Sequence, residues 1–77
     1  MRIDLHNYTL QEAYAVVALT IEDCYTSGDK TLQVITGVSG EIHREFPTWI
    51  DLHPKASGCY EVGRGGGMFN VTLRKRK

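Results

Sequence analysis

Apolar and polar side chains alternate over the first residues of the chain: Ile3 and Leu5 fall on one side, Asp4 and His6 on the other. A period of two marks a half-buried strand, predicted here over Arg2 to His6. Thr9 and Glu12 then have the T-x-x-E spacing of a capping box, in which each side chain satisfies an orphan amide of a helix start. Leu10, Ala13, Tyr14, Val17, Ile21 and Cys24 follow at steps of three and four, one apolar stripe, with Gln11, Glu12, Glu22 and Asp23 outward. Gly28 is a natural stop for that helix. Thr31 to Thr36 is β-branched and apolar, a second strand with Leu32 and Val34 inward and Gly37 ending it.

A second helix is predicted on the spacing of Ile42, Phe46 and Ile50, with Trp49 beside the stripe. Pro47 interrupts it, because proline cannot donate to the carbonyl four residues back, so a kink or a restart is expected there. His53 before Pro54 ends the segment. The last third reads as a hairpin, with Cys59 to Val62 as one arm, Gly63 to Gly67 as the connection and Phe69, Val71 and Leu73 alternating along the other arm. The order βαβαββ describes a two-layer α/β fold: a mixed four-stranded sheet, its first two strands parallel through a right-handed crossover, and two helices on one face. With Ile3 and Leu5 facing the helices, Asp4 and His6 belong to the open face or the edge of the sheet.

Size adds that 77 residues make one small domain, predicted over residues 1–73, with residues 74–77 as a frayed basic tail. No stretch approaches the roughly 18 apolar residues of a membrane span, and no basic segment leads into an apolar one at the start. Cys24 and Cys59, far apart and in no C-x-x-C pattern, read as two reduced thiols rather than a disulfide or zinc site. A cytoplasmic protein with no membrane partner is expected. The net charge of zero conceals an asymmetry: residues 1–53 hold three bases and eight acids, residues 54–77 six bases and one acid. A localised basic surface is therefore compatible with a neutral total.

Asp4 and His6, two apart on a strand, emerge together, close enough to share a phosphate, a water or a metal ion. Imidazole can both take and give a proton near neutrality, and a carboxylate beside it can fix its tautomer or hold a divalent cation such as Mg. Gly37, Ser39 and Gly40 lie between a strand and a helix, where free amides and the positive helix end receive an anion. A plain βα turn has the same composition. Gly65, Gly66 and Gly67 let backbone approach a ligand, with Arg64 adjacent, although a flexible hairpin loop also needs glycines. Arg44, one turn into the second helix, has a fork that matches phosphate oxygens and is preferred to His43. The second I-D-L-H tetrapeptide, Ile50 to His53, ends a helix and carries no capping box, so Asp51 and His53 read as surface residues.

Three segments in order resemble one family. Ile3-Asp4-Leu5-His6 running into Thr9-Leu10-Gln11-Glu12-Ala13 looks like the L-D-L-H opening of Smr (small MutS-related) domains. Val34 to Gly40 is similar to their second signature, a strand ending in H-G-x-G or T-G-x-G, and Gly65 to Leu73 to their closing glycine turn and last strand. The resemblance implies a fold like the C-terminal domain of translation initiation factor three, association with DNA or RNA, and endonuclease or nicking activity. It carries the D-x-H pair onto Asp4 and His6, and the glycine signature onto Thr36, Gly37 and Gly40. Thr36 stands where many members have histidine, Asn7 replaces a common glycine, the Gly37 to Gly40 loop is about a residue shorter than usual, and Pro47 is unusual for the second helix.

Three functions fit. The first is a nuclease acting on RNA or structured DNA, with Asp4 and His6 catalytic and Thr36, Gly37, Ser39, Gly40, Arg44, Arg64, Gly66 and Gly67 holding phosphate. The second is a non-catalytic nucleic-acid-binding module that uses the same loops and the tail. The third is a module that docks a protein partner in nucleic-acid processing.

Overall fold

A computed structural model of the chain describes residues 1–37, 40–62 and 67–75. Its elements run β1 (Arg2–Asp4), α1 (Leu10–Ser27), β2 (Thr31–Ile35), α2 (Glu41–Leu52), β3 (Ala56–Val62) and β4 (Met68–Leu73). The sheet has the order β1-β2-β4-β3, with β1 parallel to β2 and both other pairings antiparallel. This is the expected mixed sheet and βαβαββ order. Among the described residues no helix is long and apolar enough to cross a membrane.

Helix α1 starts where the capping box places it: Thr9 Oγ1 accepts from the Glu12 amide (3.1 Å) and Glu12 Oε1 from the Thr9 amide (3.0 Å). It stops at Gly28, whose φ of 84° is left-handed backbone that glycine adopts without steric cost. The inward stripe of α1, Ala13, Val17, Ile21 and Cys24, is buried against Leu32, Val34, Phe69, Val71 and Leu73 from the sheet. Alternation along β2 and β4 supplies those sheet residues from one face. Phe46 of α2 packs on Phe69 of β4 at 4.8 Å between ring centroids and on Trp49 at 6.2 Å, while Trp49 meets Tyr14 of α1 edge-on at 5.4 Å. Aromatic contacts thus link both helices to the sheet.

Several boundaries differ from expectation. Strand β1 stops at Asp4 rather than His6 because the Asp4 carboxylate accepts from the His6 backbone N–H (3.0 Å), an Asx-type turn that lifts the chain off the sheet. The Leu5 amide still reaches the Ile35 carbonyl (2.8 Å). Strand β2 ends at Ile35, and β3 begins three residues early, with an irregular register between Ala56 and Gly58. Helix α2 neither breaks nor restarts at Pro47; it is one helix from Glu41 to Leu52. Phe46 and Ile50, both at 0% exposure, straddle the proline on one stripe. Burying two such side chains gains about 1.5–3 kcal/mol each, enough to offset the roughly 3 kcal/mol that an interior proline costs.

His53 is not a solvated surface residue. Its Nδ1 accepts from the Lys55 amide (3.1 Å), and its Nε2 lies 4.0 Å from Glu22, which is also paired with the Lys55 ammonium. Arg74 is not frayed, since its amide donates to the Lys55 carbonyl (2.9 Å). Of the rest of the expected tail, Lys75 is exposed, and Arg76 and Lys77 lie outside the described residues.

Thr9→Ala removes the helix cap and should lower the unfolding free energy by about 1 kcal/mol in urea titration, with no change of fold by circular dichroism. An unchanged midpoint would show that tertiary packing alone sets the start of α1.

Candidate nucleic-acid site

Because β1 and β2 are parallel neighbours, the segments that leave them emerge at one end of the sheet. His6, just past β1, and Thr36 and Gly40, just past β2, line one open pocket of about 300 Å³ together with Tyr8, Leu10, Glu41 and Ile42. That volume is at the lower end for a ligand pocket and suits a small polar group.

Asp4 anchors the histidine. Its Oδ1 lies 2.5 Å from His6 Nδ1 and also accepts from the His6 amide. These hydrogen bonds, the side-chain one first and the backbone one second, hold the Asp4 carboxyl below the usual carboxylate range against a small opposing desolvation. An ionised carboxylate only accepts, so the proton of a neutral imidazole sits on Nδ1 and Nε2 is left as a lone-pair base. The sign follows from the depressed pKa: the pairing stabilises the folded chain at neutral pH and is lost as pH falls through the lowered value. Both side chains are about half exposed, 46% for Asp4 and 57% for His6, so substrate and water can reach them.

The loop after β2 meets the glycine-rich connection on the β4 side of β2, away from β1. The amides of Thr36 and Gly37 both donate to the Gly67 carbonyl, at 3.0 and 3.1 Å. That contact joins the loop after β2 to the end of the glycine-rich connection. It also occupies the Gly37 amide, which is therefore not a free donor to an anion. Donors without a partner among the described residues begin further on. Gly40, at φ 104°, caps α2 without a side chain, and the first intrahelical bond runs from the Arg44 amide to the Gly40 carbonyl (3.1 Å). The amides of Glu41, Ile42 and His43 are thus the helix-start donors, beside the pocket. The Glu41 carboxylate at the rim opposes an anion there.

Thr36 is buried, at 4% exposure, and its hydroxyl is engaged within the protein. It donates to the Gly37 carbonyl (3.0 Å) and lies 3.3 Å from His43 Nδ1. His43 in turn places Nε2 3.8 Å from Glu61 and rests on the Phe69 ring. Sequence reasoning passed over His43 for Arg44. The structure puts the imidazole inside, next to residue 36, while Arg44 is exposed and does not line the pocket. The signal available in the sequence was that His43 adjoins Ile42 on the stripe leading to Phe46. Tyr8 and Glu41 carried no motif that would have singled them out, and Leu10 was legible only as part of the helix stripe and of the family's opening segment. Ser39, Arg64 and Gly66 lie outside the described residues. Among the described residues no three His, Cys, Asp or Glu side chains come together as a metal-binding group.

The family model of the Smr domain matches residues 3–74. The chain belongs to the Smr family. Smr domains are a nucleic-acid-binding, nuclease-like family. The Smr domain of Thermus thermophilus MutS2, a crystal structure, superposes on this one with a TM-score of 0.84 at 22% identity, covering 95% of this chain and 96% of that one. At that identity the likeness speaks for the fold. No curated protein matches the chain significantly.

In this Smr chain, the proton of the neutral imidazole should sit on His6 Nδ1, as read by long-range proton–nitrogen NMR correlation. Asp4→Ala should move it to Nε2. The same tautomer in both proteins would show that the carboxylate does not orient the ring.

Proposed function

We propose that this Smr domain is an endonuclease for RNA, or for structured DNA, in which His6 is the proton carrier and Asp4 its positioning partner. The observation behind this reading is that a carboxylate-anchored imidazole and the helix-start amides of α2 flank one open pocket. RNA needs less apparatus than DNA because its own 2′-hydroxyl is a nucleophile. His6 Nε2 takes the 2′-hydroxyl proton as that oxygen attacks phosphorus, and the bond from phosphorus to the 5′-oxygen breaks. The leaving 5′-oxygen takes a proton from water, which reaches this exposed site. Asp4 stabilises the imidazolium that forms, and the helix-start amides receive charge growing on the phosphoryl oxygens. Products are a 2′,3′-cyclic phosphate and a 5′-hydroxyl. Free thiols at Cys24, buried, and Cys59, half-buried, suit a reducing cytoplasmic setting.

A second reading, binding without cleavage, draws on Thr36. Its hydroxyl is committed to Gly37 and His43, so no second proton carrier occupies that position. Labelled RNA and DNA incubated with wild type, Asp4→Ala and His6→Ala separate the two. Both variants should keep binding, and cleavage should fall about 10²-fold or more in His6→Ala, with cyclic-phosphate ends in the wild-type products and no loss of activity in EDTA. Undiminished cleavage in both variants would remove the assigned roles, and no cleavage by any protein would leave the binding module. Truncation after Arg74 should weaken binding at low salt and flatten its salt dependence; unchanged affinity would exclude the tail from the contact.

A further inference from the structure

The open face of the sheet carries one continuous row of side chains across all four strands. The register pairs Arg2 with Gln33, Gln33 with Asn70 and Asn70 with Tyr60, so these four share a face. Their sequence neighbours Leu32, Val34, Phe69 and Val71 are buried under the helices, which puts the row on the opposite side. Asn70 Nδ2 donates to the Tyr60 hydroxyl at 2.7 Å. Tyr60 and Asn70 are direct partners on neighbouring strands, so a hydroxyl that reaches the amide requires the phenol to lean across the sheet rather than stand away from it. The phenol is tethered towards β4 by that bond and still stands 56% exposed to solvent.

We propose that this row is a binding platform for unpaired nucleotides of a single-stranded nucleic acid, with Tyr60 stacking a base, Gln33 offering its amide to base edges and Arg2 contacting phosphate. Every base has a π-face, and an aromatic ring already held in place loses little freedom on stacking. Side-chain amides match the donor and acceptor edges of bases, and a guanidinium matches phosphate.

Electrostatics favours this face over the helical one. The two helices carry Glu12, Glu22, Asp23, Glu41, Glu45 and Asp51 against Arg44 alone, a layer that repels a polyanion. The acid on the open face is Asp4, already paired with His6. Asp4 sits one row from Arg2 on the same strand, so the platform leads directly to the pocket. Three strand spacings, about 14 Å, separate the Tyr60 end from that edge, so a strand laid along the row places the stacked base a few nucleotides from the phosphate at His6.

The proposal rests on the nucleic-acid-binding half of the function above and does not require cleavage. Fluorescein-labelled dodecamers of oligo(U) and oligo(dT), and a duplex of the same length, are titrated by anisotropy at low salt. Wild type should prefer the single strands. Tyr60→Ala should weaken single-strand binding about ten- to hundredfold, Tyr60→Phe should stay within about threefold, and Leu19→Ala on the helical face should change nothing. In wild type the side-chain amide NMR signals of Gln33 and Asn70 should shift on adding oligo(U), a readout that survives even if Tyr60→Ala fails to fold. Wild-type affinity in Tyr60→Ala, an equal preference for duplex, or shifts confined to α1 and α2 would overturn the platform. Loss of cleavage in His6→Ala with Tyr60-dependent binding intact would leave it standing, as would the absence of cleavage altogether.

Discussion

Parallel pairing of β1 with β2 is the constraint on which the rest of the molecule depends. Two parallel neighbours send their carboxyl ends out at the same edge of the sheet, which is where open α/β folds collect ligand groups. The register Asp4 with Ile35, continued by the bond from the Leu5 amide to the Ile35 carbonyl, sets His6 level with Thr36 and the start of α2. A one-residue slip would turn Asp4 into the core and Leu5 out of it. Leu5 at 0% exposure opposes that slip, so a buried leucine stabilises the position of the carboxylate beside it.

Much of this was legible because it is local. The capping box at Thr9, the stop at Gly28 and the alternation along β2 and β4 are decided by neighbours a few residues apart, and the structure follows them. What escaped was decided at longer range. The proline in α2 is tolerated because Phe46 meets Phe69 across the layer, a contact no window around Pro47 contains. His53 is half-buried because Glu22, on the other helix, faces it. At the site, Asp4 and His6 were readable as a pair, but the reason differed: a turn made by the Asp4 side chain, rather than strand pleating, brings them together. The Gly67 carbonyl's capture of the Gly37 amide could not be foreseen, since it joins segments about thirty residues apart.

Charge is sorted by layer more than by chain half. The acidic residues of the first two thirds fall largely on the helices, and at neutral pH they repel nucleic acid from that side. They also have local uses. Glu12 closes the cap of α1, and Glu22 holds Lys55, which lies 5.2 Å over the Tyr25 ring. Hydrogen bonds to the charged form pull the carboxyls of both glutamates below their usual range, so each stabilises the fold at neutral pH and loses that contribution in acid. Leaving the sheet's open face nearly free of unpaired acids is a consequence of where the acids are employed.

The arrangement around Thr36 bears on how a nuclease-like scaffold divides binding from chemistry. Binding a phosphate asks for donors and a shape that excludes little, which the start of α2 and its glycine cap provide whatever stands at residue 36. Proton transfer asks for a titrating group within hydrogen-bond reach of a reacting oxygen, a narrower demand. Here the hydroxyl at residue 36 points inward to the Gly37 carbonyl and His43, and so acts on the loop's shape rather than on a substrate. In the proposed reaction the whole burden of proton transfer then falls on His6. With Nδ1 committed to Asp4, a single nitrogen of this pocket-lining ring, Nε2, is left to act as base in that proposed step. A site with one such nitrogen can assist departure of a good nucleophile's proton, as in RNA, far more readily than it can activate water against the DNA backbone, and the preference for RNA in the proposed function rests on that economy.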